Sequence, residues 1–81
     1  MTRTDNAPKF QYTAVFEAAE GGFIVTVPAL PGLVTEGETI EQAREMVKDA
    51  IRAYLESLVR HGEGIPIESG IVNVERIAIT F

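Results

Sequence analysis

GFIVTVPALPGLVTEGETIEQA, running from Gly22 to Ala43, holds in one stretch a strand, a proline-shaped loop, a second short strand and the start of a helix. Phe23, Val25 and Val27 alternate with Ile24 and Thr26 in a β-branched run, so a strand is expected here with Phe23, Val25 and Val27 toward a core. Pro28 has no N–H to give a ladder, and Pro31 with Gly32 favours a turn, so Pro28 to Gly32 reads as a shaped loop. Leu33 to Glu36 then forms a short strand, and Thr39-Ile40-Glu41-Gln42 matches a capping box. In that motif the Thr39 hydroxyl and the Gln42 side chain accept backbone N–H groups that a helix start leaves unpaired.

Working outward, Phe10 to Glu17 alternates with Phe10, Tyr12, Ala14 and Phe16 on one face, and Gly21-Gly22 supplies positive-φ positions for a hairpin into the Phe23 strand. On the other side Ile40, Ala43, Val47, Ala50, Tyr54 and Leu58 step by three or four, joined by Ile51 and Leu55, which is one apolar helix face. Arg60 and His61 suit the negative end of the helix dipole and Gly62 a left-handed cap, so the helix is expected to end near His61. After a connector from Gly62 to Gly70, Ile71 to Phe81 reads as a last strand that is apolar on both faces. The expectation is therefore an α+β domain of order βββαβ. A right-handed crossover would lay the last strand parallel to the first, giving a mixed four-stranded sheet of order 3-2-1-4 with one helix on one face. Residues 1–9 form a polar tail, and 10–81 a single domain.

The chain has 81 residues and no cysteine. A domain this short hides only roughly 60% of the surface its unfolded form exposes, so apolar packing or self-association must supply stability, and a homo-oligomer is expected. An apolar content of 46% and a mean hydropathy of +0.10 support a real core. The polar opening lacks an apolar signal region, and Phe23 to Val34 is interrupted by Thr26, Pro28, Pro31 and Gly32, which places the chain in the cytoplasm with no membrane contact. Twelve carboxylates against seven Lys and Arg give a charge of −5, which repels a phosphate backbone and attracts a basic protein.

Few residues carry chemistry. His61 is the only histidine, and its expected place at a helix C-terminus gives it a capping role before a catalytic one. The glycines follow neither a Walker nor a dinucleotide pattern. Glu36, Glu38 and Glu41 cluster at the helix start, where they complement the dipole; they lack the regular ligand spacing of a calcium loop. No catalytic, cofactor or metal-binding residue is assigned. Together with Glu45 and Asp49, these carboxylates make an acidic edge that is the expected contact for a basic partner, the alternative being a merely solvated helix start.

The Gly22 to Ala43 segment resembles the signature of HicB-type antitoxins: Pro28, the Leu30-Pro31-Gly32 turn, Thr35, Gly37, Thr39 at the cap and Ala43 one turn in. With the first strand, the helix and the last strand, the likeness extends over most of Phe10 to Phe81. It implies a partial ribonuclease-H-like fold. It also implies the role of a type II antitoxin that does no chemistry and binds a small basic HicA-like toxin of double-stranded-RNA-binding-like fold, covering the toxin's RNA-cleaving histidine. Pro28, Pro31, Gly32, Thr35, Gly37, Thr39 and Ala43 are, on this resemblance, structural. Many members carry Cys where Leu33 stands, which suggests a space-filling position. Fuller relatives append a DNA-binding domain; here the last strand reaches Phe81, so no such domain is expected. Two other readings stand beside it. One is a stand-alone binding module with no toxin. The other is a ribonuclease-H-like metal-dependent nuclease, which needs inward carboxylates around two metal ions and has only Glu17 and Glu75 as strand-borne candidates.

Purified protein should leave duplex DNA unretarded in a gel at physiological salt, because its charge is −5 and no basic helix or ribbon is present. Tight, sequence-dependent retardation would overturn that expectation.

Overall fold

A computed structural model describes residues 10–68, 70 and 73–81. Among them are three strands and one helix: β1 (Val15–Ala19), β2 (Gly22–Thr26), β3 (Val34–Gly37) and α1 (Ile40–Arg60). The strands form an antiparallel sheet of order β1-β2-β3, and α1 packs across it, chiefly on β3 and β2. The domain is thus α+β.

β1 and β2 pair from Ala19↔Gly22 to Val15↔Thr26, with Gly21 in the turn at φ 83°. β1 begins later than the alternation from Phe10 predicts. Its partner strand ends at Thr26, and the chain then turns at Pro28 through a Leu30 N–H to Val27 carbonyl bond of 2.9 Å, leaving nothing on that strand for residues 10–14 to pair with. Tyr12, Ala14 and Phe16 still pack against the core, as the alternation requires; Phe10 is half exposed.

The buried core is Val25, Val27, Leu30, Leu33, Ala43 and Val47. Val25 and Val27 come from the inward face of the β2 run, and Ala43 and Val47 from the apolar stripe of α1. Leu30 and Leu33 come from the loop. Leu30 is fully buried, so the loop of Pro28, Pro31 and Gly32 bends the backbone around a side chain that packs in the core between sheet and helix. Gly32, at φ 86°, and a Leu33 N–H to Leu30 carbonyl bond of 3.1 Å set that bend. The Tyr54 hydroxyl donates to the Pro31 carbonyl at 2.8 Å and ties the loop to α1.

Both ends of α1 are closed by local chemistry. Thr39 is the N-cap, in extended backbone, and its hydroxyl accepts the Gln42 N–H at 3.0 Å. The Gln42 side chain reaches back to the Glu38 N–H at 2.5 Å, one residue before the donor a standard capping box uses. At the other end Glu63 N–H bonds the Leu58 carbonyl at 2.8 Å and Gly62 N–H the Val59 carbonyl at 3.1 Å, with Gly62 at φ 70°, which is the Schellman arrangement. His61 Nδ1 lies 2.8 Å from the Ser57 carbonyl.

The expected fourth strand and the sheet order 3-2-1-4 are not seen among the described residues, whose sheet has three strands. Residues 73–81 form no ladder and are exposed, while Ile71 and Val72 lie outside the described residues. Their composition favours a strand, but a strand exists only against a partner edge, and the segment meets none within the described chain. The connector before it is nonetheless anchored. The Tyr12 hydroxyl donates to the Pro66 carbonyl at 2.6 Å, and Thr13 donates from both its hydroxyl and its backbone N–H to the Glu68 carboxylate, the latter at 2.8 Å.

Those two Thr13 donors, the hydroxyl first, hold the Glu68 carboxyl below its usual range. A carboxyl whose folded pKa is depressed contributes stability that is complete above its unfolded pKa and is lost as pH falls through the folded value. Thr13→Val keeps the backbone donor and removes the hydroxyl. In an NMR titration it should bring Glu68 up toward ordinary carboxylate behaviour and move detachment of the connector to higher pH. An unchanged Glu68 titration would mean that the contact does not form in solution.

Candidate functional site

At the end of the sheet nearest the start of α1, the backbones of β2, β3 and the first helical turn converge. A Cβ on Gly37 would lie 2.5 Å from the Ala43 nitrogen and 2.7 Å from its Cα, and one on Gly22 would run into the Gly37 carbonyl oxygen. Gly22 also sits at φ 156°. Glycine at 37 and the smallest side chain, fully buried, at 43 are therefore what let β3 pass directly into α1.

Beside this junction is a crevice of about 420 Å³. Ile24 and Met46, 38% and 43% exposed, give it an apolar wall; Glu20, Glu36 and Glu38 give it carboxylates; Gln42 closes one end. Ile24 and Glu36 stand directly opposite each other in the β2–β3 register. Such a combination accepts the long apolar stem and charged head of Lys or Arg.

The structure separates the five acidic residues into two kinds. Glu36 and Glu38 line the crevice, and Glu41 follows in the first turn of α1. Glu45 and Asp49 continue along the exposed helix, where Lys48 meets Glu45 at 3.4 Å and Arg52 meets Asp49 at 3.1 Å. Exposed pairs of this kind contribute little stability, but each cation neutralises its carboxylate in the local field. Among the described residues Glu20, Glu36, Glu38 and Glu41 have no ion-pair partner, so the three carboxylates that line the crevice act there without a paired cation. Glu20, Ile24 and Met46 went unnoticed in the sequence. Glu20 arrives through the hairpin turn, and only the i,i+4 spacing of Gln42 and Met46 hinted at a shared helix face.

The other motif positions have plain structural settings. Pro28 is exposed at the turn, Pro31 accepts from Tyr54, Thr35 pairs with Val25, and Thr39 caps the helix. Glu17 lies in β1 opposite Ile24, whereas Glu75 accepts from Asn73 Nδ2 at 2.6 Å within the C-terminal segment, so the structure does not bring these two carboxylates together. No helix among the described residues is long and apolar enough to cross a membrane.

Residues 12–78 match the family described as the HicB-like antitoxin of bacterial toxin-antitoxin systems. The chain is 44% identical over 70 residues to a UPF0150 protein of Thermoplasma acidophilum, covering 85% of this chain and 96% of that one. It is 36% identical over 52 residues to Antitoxin HicB of Escherichia coli, covering 64% of this chain and 38% of that protein. It is also 40% identical over 48 residues to Antitoxin HicB 1 of Photorhabdus laumondii, covering 59% of this chain and 31% of that protein.

Gly37→Ala should lower stability by about 1–3 kcal/mol, the usual cost of forcing atoms into a filled space, read as a reduced urea midpoint. A wild-type midpoint would show that β3 and α1 do not approach as closely as their backbones here require.

Proposed function

The chain belongs to the HicB-like antitoxin family, and on that premise we propose that it neutralises a HicA-like, mRNA-cleaving basic toxin by binding it, without chemistry of its own. The observation that carries this reading is the crevice at the β3–α1 junction, where Glu20, Glu36 and Glu38 flank the apolar Ile24 and Met46 with no counter-charge among the described residues. A toxin that holds RNA presents Lys and Arg. The crevice offers those side chains both a carboxylate and a surface for their stems. Glu41, Glu45 and Asp49 extend the acidic edge along α1, the last two at reduced strength because Lys48 and Arg52 share them. A pI near 4.7 adds long-range attraction.

Two further elements complete the proposal. The antitoxin works in the cytoplasm, where an mRNA-cleaving partner would act. It also self-associates, which accords with the exposed Val59, Val74, Ile77, Ile79 and Phe81 of so small a domain. A second reading is a stand-alone binding module without a toxin. It is favoured by the near full-length match to a UPF0150 protein, set against the third or so of the named antitoxins that the chain spans.

The test is association with the toxin encoded beside the gene. Glu36→Gln, Glu38→Gln and Glu41→Gln combined should slow association by about tenfold or more at low salt and flatten its salt dependence, because complementary fields act mainly on the encounter rate. A triple variant with wild-type rate and salt slope would move the contact elsewhere. Absence of any basic toxin partner would favour the stand-alone module.

A further inference from the structure

The far end of α1 carries a second surface of a different character. Phe10, Leu55, Val59 and Ile65 line an open groove of about 420 Å³ whose charged lining among the described residues is Glu56 and Arg60. Val59 is 63% exposed there. The same chain holds a segment of matching chemistry that nothing among the described residues covers. In residues 73–81, Val74, Ile77 and Ile79 are 65%, 69% and 72% exposed, and Phe81 is fully so. An extended run puts Ile77, Ile79 and Phe81 on one side, spaced to enter a groove in succession, and its nine residues reach about 30 Å.

We propose that the groove of one copy receives residues 73–81 of a second copy, and the reverse, in a two-fold dimer. One chain supplies both the groove and the segment, so a reciprocal exchange covers both surfaces in each copy and closes at two subunits. Charge points the same way. The groove is flanked by one acid and one base, Glu56 and Arg60, and the segment carries one of each, Glu75 and Arg76, a balanced set that two copies can pair across the contact. Nothing in this balance selects a basic toxin, whereas the crevice at the other end of α1 does. Gln42 and Met46 border the crevice and Leu55 to Arg60 the groove, so at about 1.5 Å per residue the two surfaces are centred about 20 Å apart along α1, and the dimer leaves the crevice free.

The inference rests on the self-association proposed above, and the experiment separates the two. Sedimentation of the purified chain at micromolar concentration should give twice 8.8 kDa. Each copy carries −5, so added salt should tighten the dimer, opposite to its effect on toxin association. Ile79→Asp, in an exposed segment that the folded core does not use, should weaken the dimer about tenfold or more while leaving the circular dichroism spectrum unchanged. The chain has no cysteine, so a Val59→Cys copy mixed with an Ile79→Cys copy should form a disulfide-linked heterodimer under mild oxidant.

A dimer that neither cross-links this way nor responds to Ile79→Asp leaves self-association standing and overturns the exchange. A monomer at tens of micromolar overturns both. A double Cys chain that closes on itself at monomer mass assigns the groove to the chain's own segment, and an Ile79→Asp loss of toxin binding in a monomeric chain assigns it to the toxin; either overturns the proposal.

Discussion

The end of β3 and the first turn of α1 are so close that no side chain fits between them, and most of the molecule follows from that contact. Gly37 permits it from the strand, and Ala43 keeps the facing side of the helix small. Thr39 and Gln42 then satisfy the backbone donors that so abrupt a transition would leave unpaired. Because α1 is positioned there, Val47 falls over the sheet and Leu30 fills the space between them. The crevice is a by-product of the same approach: glycines at 22 and 37 leave room, and Glu36 and Glu38 border it because they flank Gly37.

Local rules made much of this legible in the sequence. Helix period, Thr39 cap and Gly62 terminator all act within one or two turns, and α1 begins and ends close to where they place it. The inward set Phe23, Val25 and Val27 was equally readable, because alternation reports burial of one sheet face. What stayed hidden depends on partners distant in sequence. Leu30 and Leu33 sit among prolines and glycines and carry no periodicity, yet they form a third of the buried core. The shortened β1 was set by where β2 turns away at Pro28, and no residue in β1 records that. The Ile71 to Phe81 pattern described a preference for extended, covered backbone without saying which edge would cover it.

The five carboxylates of the acidic edge differ in their surroundings, Glu45 and Asp49 being paired on the helix. Helical spacing already placed Lys48 and Arg52 three residues from Glu45 and Asp49, so the local compensation was present in the numbering. The addition of Glu20 was not, since it depends on the hairpin register that brings the β1–β2 turn beside β3. The molecule thus has a charged, partly apolar crevice at one end of α1 and a charge-balanced apolar groove toward the other.

Tyr12 and Thr13 hold Pro66 and Glu68, so the chain's entry into the fold and its exit from α1 run side by side. Both lie at the opposite end of β1 from the crevice, which borders Ala19. A fluorophore, an affinity handle or an additional folded module spliced in ahead of Phe10 would therefore emerge next to the groove and well clear of the carboxylates. For instrument work this makes the amino-terminal side the natural point of immobilisation when the acidic surface must face solution, and a poor one when subunit exchange is to be watched.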